Sequence, residues 1–360
     1  MRPDPEFYLQ DPPVDPGPFF EMIDNAVDGM RKLLLILASL ELGIFDYCSE
    51  PRDAVELAQM TGGNTHLIAL TCDALAGVGL VIRDGTTYRN SPAAMLFLTG
   101  NSPYTQIHYI RDLGRHVRDL WVPLADIIRN GPVTYNRELF FREYSLPAMA
   151  DNAVSGRLQG IVRAVHSLPG FFSFRRMIDL GGGHGLYAIA LAALNPDLEA
   201  YVFDLPLVIP QTNAYIAKFG TERVHAVPGD FFVDDFGKGY DLILSSSNPS
   251  GKSPGLLPVI AGALEEGGYF VNVQSPGGLQ NNPMQVLEWD LWTFLAVDKS
   301  KGGFSKDQMF MTAEYRAAMA AEGLVPIISE NIRDIYHGNT WVNLVISRKT
   351  DRPGFRNEQG

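Results

Sequence analysis

Apolar and polar residues change rhythm along the chain, and the changes lay out its elements. Between Phe19 and Tyr47 the spacing is helical, and within it Leu33, Leu34, Leu35, Ile36, Leu37 and Ala38 are apolar on every side of the helix. Such a helix has to be covered all round, which in a small N-terminal domain implies a subunit interface. Arg52 to Met60 and Asn64 to Val78 read as helices, and Leu80 to Asn90 reads as a hairpin turning at Asp84-Gly85. Helix, helix and two strands make a winged-helix pattern. Gln106 to Ile128 and Leu146 to Val165 predict further helices, with Tyr, Met, Asn and His among their apolar positions. Ahead of all these, Met1 to Pro18 holds six prolines and reads as an extended arm.

From Arg176 onward short apolar strands alternate with helices. Met177 to Leu180, Ala200 to Asp204, Arg223 to Val227, Tyr240 to Leu244 and Tyr269 to Val273 read as strands. Leu186 to Leu194, Ile209 to Phe219, Leu256 to Leu264 and Thr312 to Glu322 read as helices, and Leu324 to Ser347 as two strands broken at His337-Gly338-Asn339. Alternation of this kind predicts an α/β, doubly wound sheet. The expected organisation is an arm over 1–20, a winged-helix dimerisation domain over 21–103, a helical linker lining a pocket over 104–170, a Rossmann-like domain over 171–348 and a disordered tail over 349–360. Ser275 to Gln308 is a long insert, rich in Gly, Asn and Pro and then in Trp and Phe, that would cap a site.

The stretch from Arg176 to Asp204 carries the chemistry. A strand ends in Asp179-Leu180, the turn Gly181-Gly182-Gly183-His184-Gly185 follows, and after one helix the next strand closes on Asp204. Glycines let the backbone approach a ligand, the helix start offers free N–H groups, and the terminal acid accepts from ribose hydroxyls. The spacing departs from G-x-G-x-x-G, and Asp179 would repel a pyrophosphate while suiting a cationic amino group. Both points favour S-adenosylmethionine over a dinucleotide.

Composition narrows the partners. A net charge of -12 and a pI near 5.0 argue against nucleic acid and anionic membranes, so a small molecule is the expected substrate. Asn64 to Leu80 contains no Lys or Arg, so this second helix of the winged pattern cannot neutralise phosphates and the module is expected to dimerise. Cys48 and Cys72 are the two cysteines, fitting a reducing cytoplasm. No signal core or membrane-length apolar run is seen, and no His, Cys or Asp set has metal-ligand spacing.

The motifs Asp179-Leu180-Gly181-Gly182-Gly183-His184-Gly185, Phe203-Asp204-Leu205-Pro206, Gly229-Asp230-Phe231-Phe232, Glu266-Gly267-Gly268 and Thr312-Ala313-Glu314-Tyr315 resemble a known family. It is the class I S-adenosylmethionine-dependent methyltransferases of the small-molecule O-methyltransferase type, with an N-terminal winged-helix dimerisation domain. The resemblance runs from about Ala26 to Arg348 and implies a seven-stranded Rossmann-like domain. It implies that Gly181 and Gly183 lie against the methionine part of the cofactor, that Asp204 holds the ribose, and that Asp230 and Phe231 hold the adenine. Asp179, Leu205 and Ser245 complete the expected cofactor set.

The family's acid–base apparatus has no counterpart here. Where the resemblance implies a catalytic His followed by Asp and Trp, the loop reads Ser245-Ser246-Ser247-Asn248-Pro249-Ser250-Gly251-Lys252. Gln274 and Phe310 stand where acids orient that His. Neither Ser nor Asn binds a proton near neutral pH, so neither serves as a general base. Methyl transfer would then rest on positioning an acceptor that needs no base, an O, S, N or activated C nucleophile, with Asn248 and Gln274 as an uncharged polar rim. Two other readings stay open: a base relocated to His337, His108, His116 or His166, and a cofactor-binding homologue with a non-methylating reaction or a binding role. Ser247, Trp289, Trp292 and Phe310 are the expected substrate contacts.

Overall fold

The computed structural model describes Leu9 and residues 11–274, 282–295, 311–333 and 341–350. His337, Phe310, most of the expected insert and residues 351–360 lie outside them, whereas Lys349, expected in the disordered tail, ends the strand Trp341–Lys349 because it pairs with Leu324. The chain divides into two compact units, Met1–Gly114 and Arg115–Gly360. The expected linker is therefore not a separate body: its residues from Arg115 onward group with the sheet.

In the first unit the long helical run forms as Gly17–Glu41 and Ile44–Tyr47, separated where Gly43 turns to φ 71°. The next helix, Ala54–Thr61, starts on a capping box in which Asp53 accepts from the Val55 and Glu56 amides and Glu56 accepts from the Asp53 amide. Asn64 caps the helix Thr65–Gly77 by accepting from the Leu67 amide. Strands Val81–Asp84 and Thr87–Asn90 pair antiparallel, and Arg52–Asp53 joins the far side of the second. Leu40, Phe45, Leu57, Cys72, Leu75 and Tyr88 pack at the centre. Burial pushes the Cys48 thiol up to about 11 and Cys72 up to about 12, so both are inert apolar fillers. On the long helix Phe19, Phe20 and Met22 are each 58% exposed and Leu34 48%.

The second unit is built on a seven-stranded sheet. In chain order its strands are β1 (Arg176–Leu180), β2 (Glu199–Asp204), β3 (Val224–Pro228), β4 (Tyr240–Ser246), β5 (Leu264–Gln274), β6 (Leu324–Arg333) and β7 (Trp341–Lys349). They lie in the order β6-β7-β5-β4-β1-β2-β3, with β1 to β5 parallel and β7 antiparallel to both neighbours. This is the doubly wound α/β fold that the alternation predicts. Chain order reverses direction across the sheet at β1 and β4, so the carboxyl ends of these two strands form the crevice where ligands bind in such sheets. Helices cover both faces, which is why the central strands are apolar on both sides apart from Asp179 in β1: Met177, Ile178, Leu180, Leu242, Ile243 and Leu244 are all buried.

Two helical expectations break into pieces for identifiable reasons. The segment from Gln106 is helical over Ile107–His116, widens to a π-turn over Val117–Trp121 and restarts at Leu124–Asn130 after Pro123, which has no N–H to continue the ladder. The segment from Leu146 stops at Ala153 and restarts as Arg157–His166, with Gly156 at φ 144° between them. Within the expected insert, Pro283–Asp290 is a helix and Trp292–Phe294 pairs in parallel with Val133–Tyr135.

Ile346 is fully buried on β7, in the cluster that also holds Val271, Val273 and Leu344. Ile346→Ala removes buried volume that β5 and β6 cannot both close over. Urea denaturation should show a loss of about 3 kcal/mol.

Candidate active site

The turn between β1 and the helix Leu186–Leu194 sits on the crevice. Gly181, Gly183 and Gly185 all adopt positive φ, of 64°, 54° and 70°, a geometry that L side chains resist. At Gly182 space is the constraint, since an added Cβ would lie 2.6 Å from Asp179 Cγ and 2.8 Å from Val202 Cγ1. The turn is held from outside by Thr212, whose hydroxyl donates to the Gly183 carbonyl at 2.6 Å. His184 caps the helix start: its Nδ1 accepts from the Leu186 amide at 3.1 Å, leaving the ring proton on Nε2. Burial and the charge of Arg157 push His184 down to about 3, so it is neutral in the physiological range and cannot act as a general base. That neutrality stabilises the fold above the ordinary histidine value of 6.5, and the contribution is lost as pH falls from there to about 3.

Asp179 lies under this turn, fully buried, and neither carboxyl oxygen has a hydrogen-bond partner. Burial and the charge of Asp204 push it well above the ordinary carboxyl range. A buried, unpartnered carboxyl at a crevice is where a cationic ligand group would be compensated. Asp204 is better served: it accepts from the Gly183 amide at 2.8 Å and the Leu205 amide at 2.7 Å. Burial raises it too, while those two amides and the charge of Arg137 draw it back down. The next motif lies beside it, because Asp204 pairs with Pro228 across β2 and β3 and the Gly229 amide donates to the Asp204 carbonyl at 2.9 Å. Asp230 accepts from the Phe232 amide at 2.9 Å, and Phe231 rests against the core that includes Phe203. The structure thus brings Asp179, Gly181, Gly183, Asp204, Leu205, Asp230 and Phe231 to one edge of the sheet.

The loop after β4 differs from an open polar rim. Asn248 is turned inward. Its Nδ2 donates to the Leu180 carbonyl at 2.6 Å, lacing the loop to the glycine turn, and its Oδ1 accepts from Ser245 Oγ at 3.1 Å and the Ser250 amide at 2.9 Å. Gln274, at the end of β5, donates to the Asn248 carbonyl at 3.2 Å and to Asn272 Oδ1 at 3.0 Å. Asn272 in turn donates to the Gly251 carbonyl and to Tyr315 Oη. Gly251 fits because it has no side chain: an added Cβ would come within 2.2 Å of Asn272 Oδ1 and 2.3 Å of Gln274 Nε2. Two polar atoms of this region, Gln274 Oε1 and Ser246 Oγ, are buried without a partner. Ser247 is exposed and has φ 55°, and its Oγ accepts from Arg157 Nη1 at 3.1 Å.

Of the expected substrate contacts, Trp289 and Trp292 meet edge to face with centroids 5.3 Å apart. Trp292 also stacks on Phe140 at 5.1 Å and abuts Phe294 at 5.3 Å, so it belongs to an aromatic wall. Among the candidate histidines, His116 Nδ1 is 3.1 Å from Glu288 Oε1, and the other oxygen of Glu288 accepts from Trp121 Nε1 at 2.5 Å. His166 packs on Phe171 and Phe172, just before β1 begins and therefore at the end of the strand opposite the glycine turn. His108 lines a pocket of the first unit with Asp46 and Arg111. Among the described residues no group of three His, Cys, Asp or Glu side chains could hold a metal ion, and no helix is long and apolar enough to cross a membrane.

Sequence reasoning gave no role of their own to Asn272, Tyr315, Ser250, Thr212 or Arg157. Asn272 left a signal, a lone amide inside the apolar run of β5. Arg157 left none, being one of several charges on a helix.

A family profile described as an O-methyltransferase domain matches residues 144–304. The uncharacterized protein MJ0086 of Methanocaldococcus jannaschii is 33% identical over 74% of this chain and 73% of its own. The N,N-dimethyltransferase OxyT of Streptomyces rimosus is 30% identical over 79% of this chain and 85% of its own. The crystal structure of human N-acetylserotonin methyltransferase in complex with SAM superposes with a TM-score of 0.67 at 21% identity, covering 95% of this chain and all of that one, which shows a shared fold.

Asp179 gives a measurable linkage. A carboxyl whose folded value is raised stabilises the fold below its ordinary value and loses that contribution as pH rises through the folded value. Asp179→Asn keeps the shape and cannot ionise. Thermal unfolding from about pH 4 to about pH 8 should show the variant gaining stability relative to the wild type as pH rises.

Proposed function

The chain belongs to the S-adenosylmethionine-dependent O-methyltransferase family, and from that premise we propose that it methylates a small-molecule acceptor without the usual histidine general base. The observation that carries this is the loop Ser245 to Lys252, which holds no histidine and no acid and in which the side chains of Ser245, Asn248 and Ser250 are committed to one another and to the Leu180 carbonyl. S-adenosylmethionine supplies a methyl group on a sulfonium, electrophilic enough to be taken by an ionised oxygen or sulfur or by a neutral amine. The residues fit this cofactor: Asp179 offers an uncompensated carboxyl to its ammonium, Asp204 accepts from its ribose, and Asp230 with Phe231 receives the adenine, with Leu205 and Ser245 beside them.

The protein's own part is then to hold the acceptor in line and keep water out. Positioning supplies on the order of 7 kcal/mol or more, enough for a reactive sulfonium. In this reading Gln274 and Asn248 act through orientation. Asn248 fixes the loop against the glycine turn, and Gln274 Oε1 and Ser246 Oγ, both unpartnered, receive polar atoms of the acceptor. Ser247 and the Trp289–Trp292 wall supply the remaining contacts.

A specific observation supports a second reading. Glu288 orients His116 as an acid orients a catalytic histidine, so a base relocated to the aromatic wall is the competing mechanism.

For the first unit we propose a two-fold homodimer through the helix Gly17–Glu41, whose Phe19, Phe20, Met22 and Leu34 are exposed in the single chain. The free, buried Cys48 and Cys72 support a reducing, cytoplasmic setting, and the helix Thr65–Gly77, which carries no Lys or Arg, supports a module that binds protein and not nucleic acid.

Without a base, the pH midpoint of the rate follows the acceptor's own pKa across a series of acceptors, and His116→Ala leaves the rate within about tenfold. A midpoint that stays fixed while the acceptor varies, or a loss of about a hundredfold in His116→Ala with cofactor binding intact, would falsify the base-free mechanism. Light scattering should give twice the chain mass of 39.7 kDa at micromolar concentration; a monomer would rule the dimer out.

A further inference from the structure

The guanidinium of Arg157 reaches the loop that lacks a base. Arg157 opens the helix Arg157–His166, directly after the break at Gly156, and its Nη1 donates to Ser247 Oγ at 3.1 Å. Ser247 is itself held in an unfavourable backbone conformation, φ 55°, and its amide donates to the Val273 carbonyl at 2.7 Å. A serine costs free energy in that region unless its surroundings impose it. Here the imposition is visible: the next residue, Asn248, is tied to Leu180, and Gly251 is wedged against Asn272 and Gln274. The chain therefore spends strain to turn Ser247 outward at the carboxyl end of β4, where it meets a cation. That cation is also felt at the glycine turn, since its charge is one of the two influences holding His184 neutral. Arg157 thus stands between the two elements that bound the crevice, the turn after β1 and the loop after β4.

We propose that Arg157, aimed by Ser247, binds the methyl acceptor as an anion, so that the substrate is an acidic phenol, enol or thiol taken up in its ionised form. This rests on the base-free reading and says what replaces the base. A general base removes the acceptor's proton during transfer, whereas a fixed guanidinium lowers the acceptor's proton affinity before it. The proton then leaves to solvent on binding, the acceptor oxygen or sulfur forms its bond to the methyl carbon as the carbon–sulfonium bond breaks, and the electron pair stays on the cofactor sulfur as a neutral thioether. Charge balances, because an anion and a sulfonium give two neutral products. Arginine suits the task because its charge persists at every working pH. Among the described residues, the charged and titratable groups on the elements packed around it include Asp151 on the preceding helix, Tyr187 on the helix Leu186–Leu194, His184 on the turn, Lys252 in the loop after β4, and Glu330 and Arg333 on β6. Burial lowers Lys252, and the loop it belongs to carries no acid to compete for the acceptor's place.

The probe is 4-nitrophenol, whose visible absorbance reports its ionisation, titrated into the full chain saturated with S-adenosylhomocysteine. Bound 4-nitrophenol should ionise about one pH unit below the free compound in the wild type. That shift should vanish in Arg157→Met, shrink in Arg157→Lys and be reduced in Ser247→Ala, while calorimetric affinity for S-adenosylhomocysteine stays within about threefold in all of them. An unshifted spectrum in the wild type, no binding of 4-nitrophenol, or a shift that survives in Arg157→Met overturns the proposal. So does a tenfold or greater loss of S-adenosylhomocysteine affinity in Arg157→Met, which would assign the guanidinium to the cofactor's carboxylate. The base-free reading fails separately, through a rate midpoint that ignores the acceptor's pKa, and that outcome leaves the spectral shift readable.

Discussion

Between Asp179 and Val202 there is room at residue 182 for a hydrogen and none for a methyl group, and the architecture of the site follows from that limit. The turn can pass over the end of β1 only by alternating into positive φ at Gly181, Gly183 and Gly185. Passing there, it seals Asp179 from water without giving it a donor. A carboxyl in that position is costly as an anion and tolerable as an acid. It becomes an asset once a cationic ligand group is brought to it, so the fold stores at this point a preference for the charge of what it binds. The same burial acts on the neighbouring acid, Asp204, where two backbone amides oppose it. Two carboxylates close in space thereby acquire different characters from the amides and charges around each.

The loop after β4 shows a different economy. An ionisable base placed there would need acids around it to set its orientation and proton affinity. Asn248, Gln274, Asn272, Ser245, Ser250 and Tyr315 instead form a network of neutral groups, which costs less to bury than a charged base because its amide donors meet acceptors. Gly251 lets the loop descend onto that network, and the strain left over is concentrated at Ser247. Neutral amides fix geometry without titrating, so the pH response of this site is left to the acceptor and to the surrounding permanent charges.

The aromatic wall is assembled from segments distant in the chain. Trp292 and Phe294 reach Phe140 and Tyr135 because a three-residue strand of the insert pairs with Val133–Tyr135. The same helix that carries Trp289 carries Glu288, which binds both His116 and Trp121. Packing and polar order are thus coupled: the helix that brings Trp289 to the wall also brings the acid that faces His116.

Much of this was legible in the order of residues, for a physical reason. Strand and helix alternate with periods of their own, glycine is needed wherever φ turns positive, and an acid at a strand end is a local feature, so the doubly wound sheet, the glycine turn and Asp204 could be read before any coordinate was known. The absence of histidine and acid from Ser245 to Lys252 is likewise a property of composition alone. Direction of side chains is not local. Asn248 and Gln274 read as a polar rim, but whether an amide faces a crevice or its own loop depends on which carbonyls lie within about 3 Å of it, and those belong to Leu180, a separate strand, and to Asn248 itself. The unbroken helix read from Leu146 to Val165 stops because Gly156 and its surroundings redirect the chain, and only that break sets Arg157 against Ser247. Sequence determined which chemistry the chain has given up; tertiary structure decided which charge stands in its place, because charges act through space and the chain is indifferent to how many residues separate them.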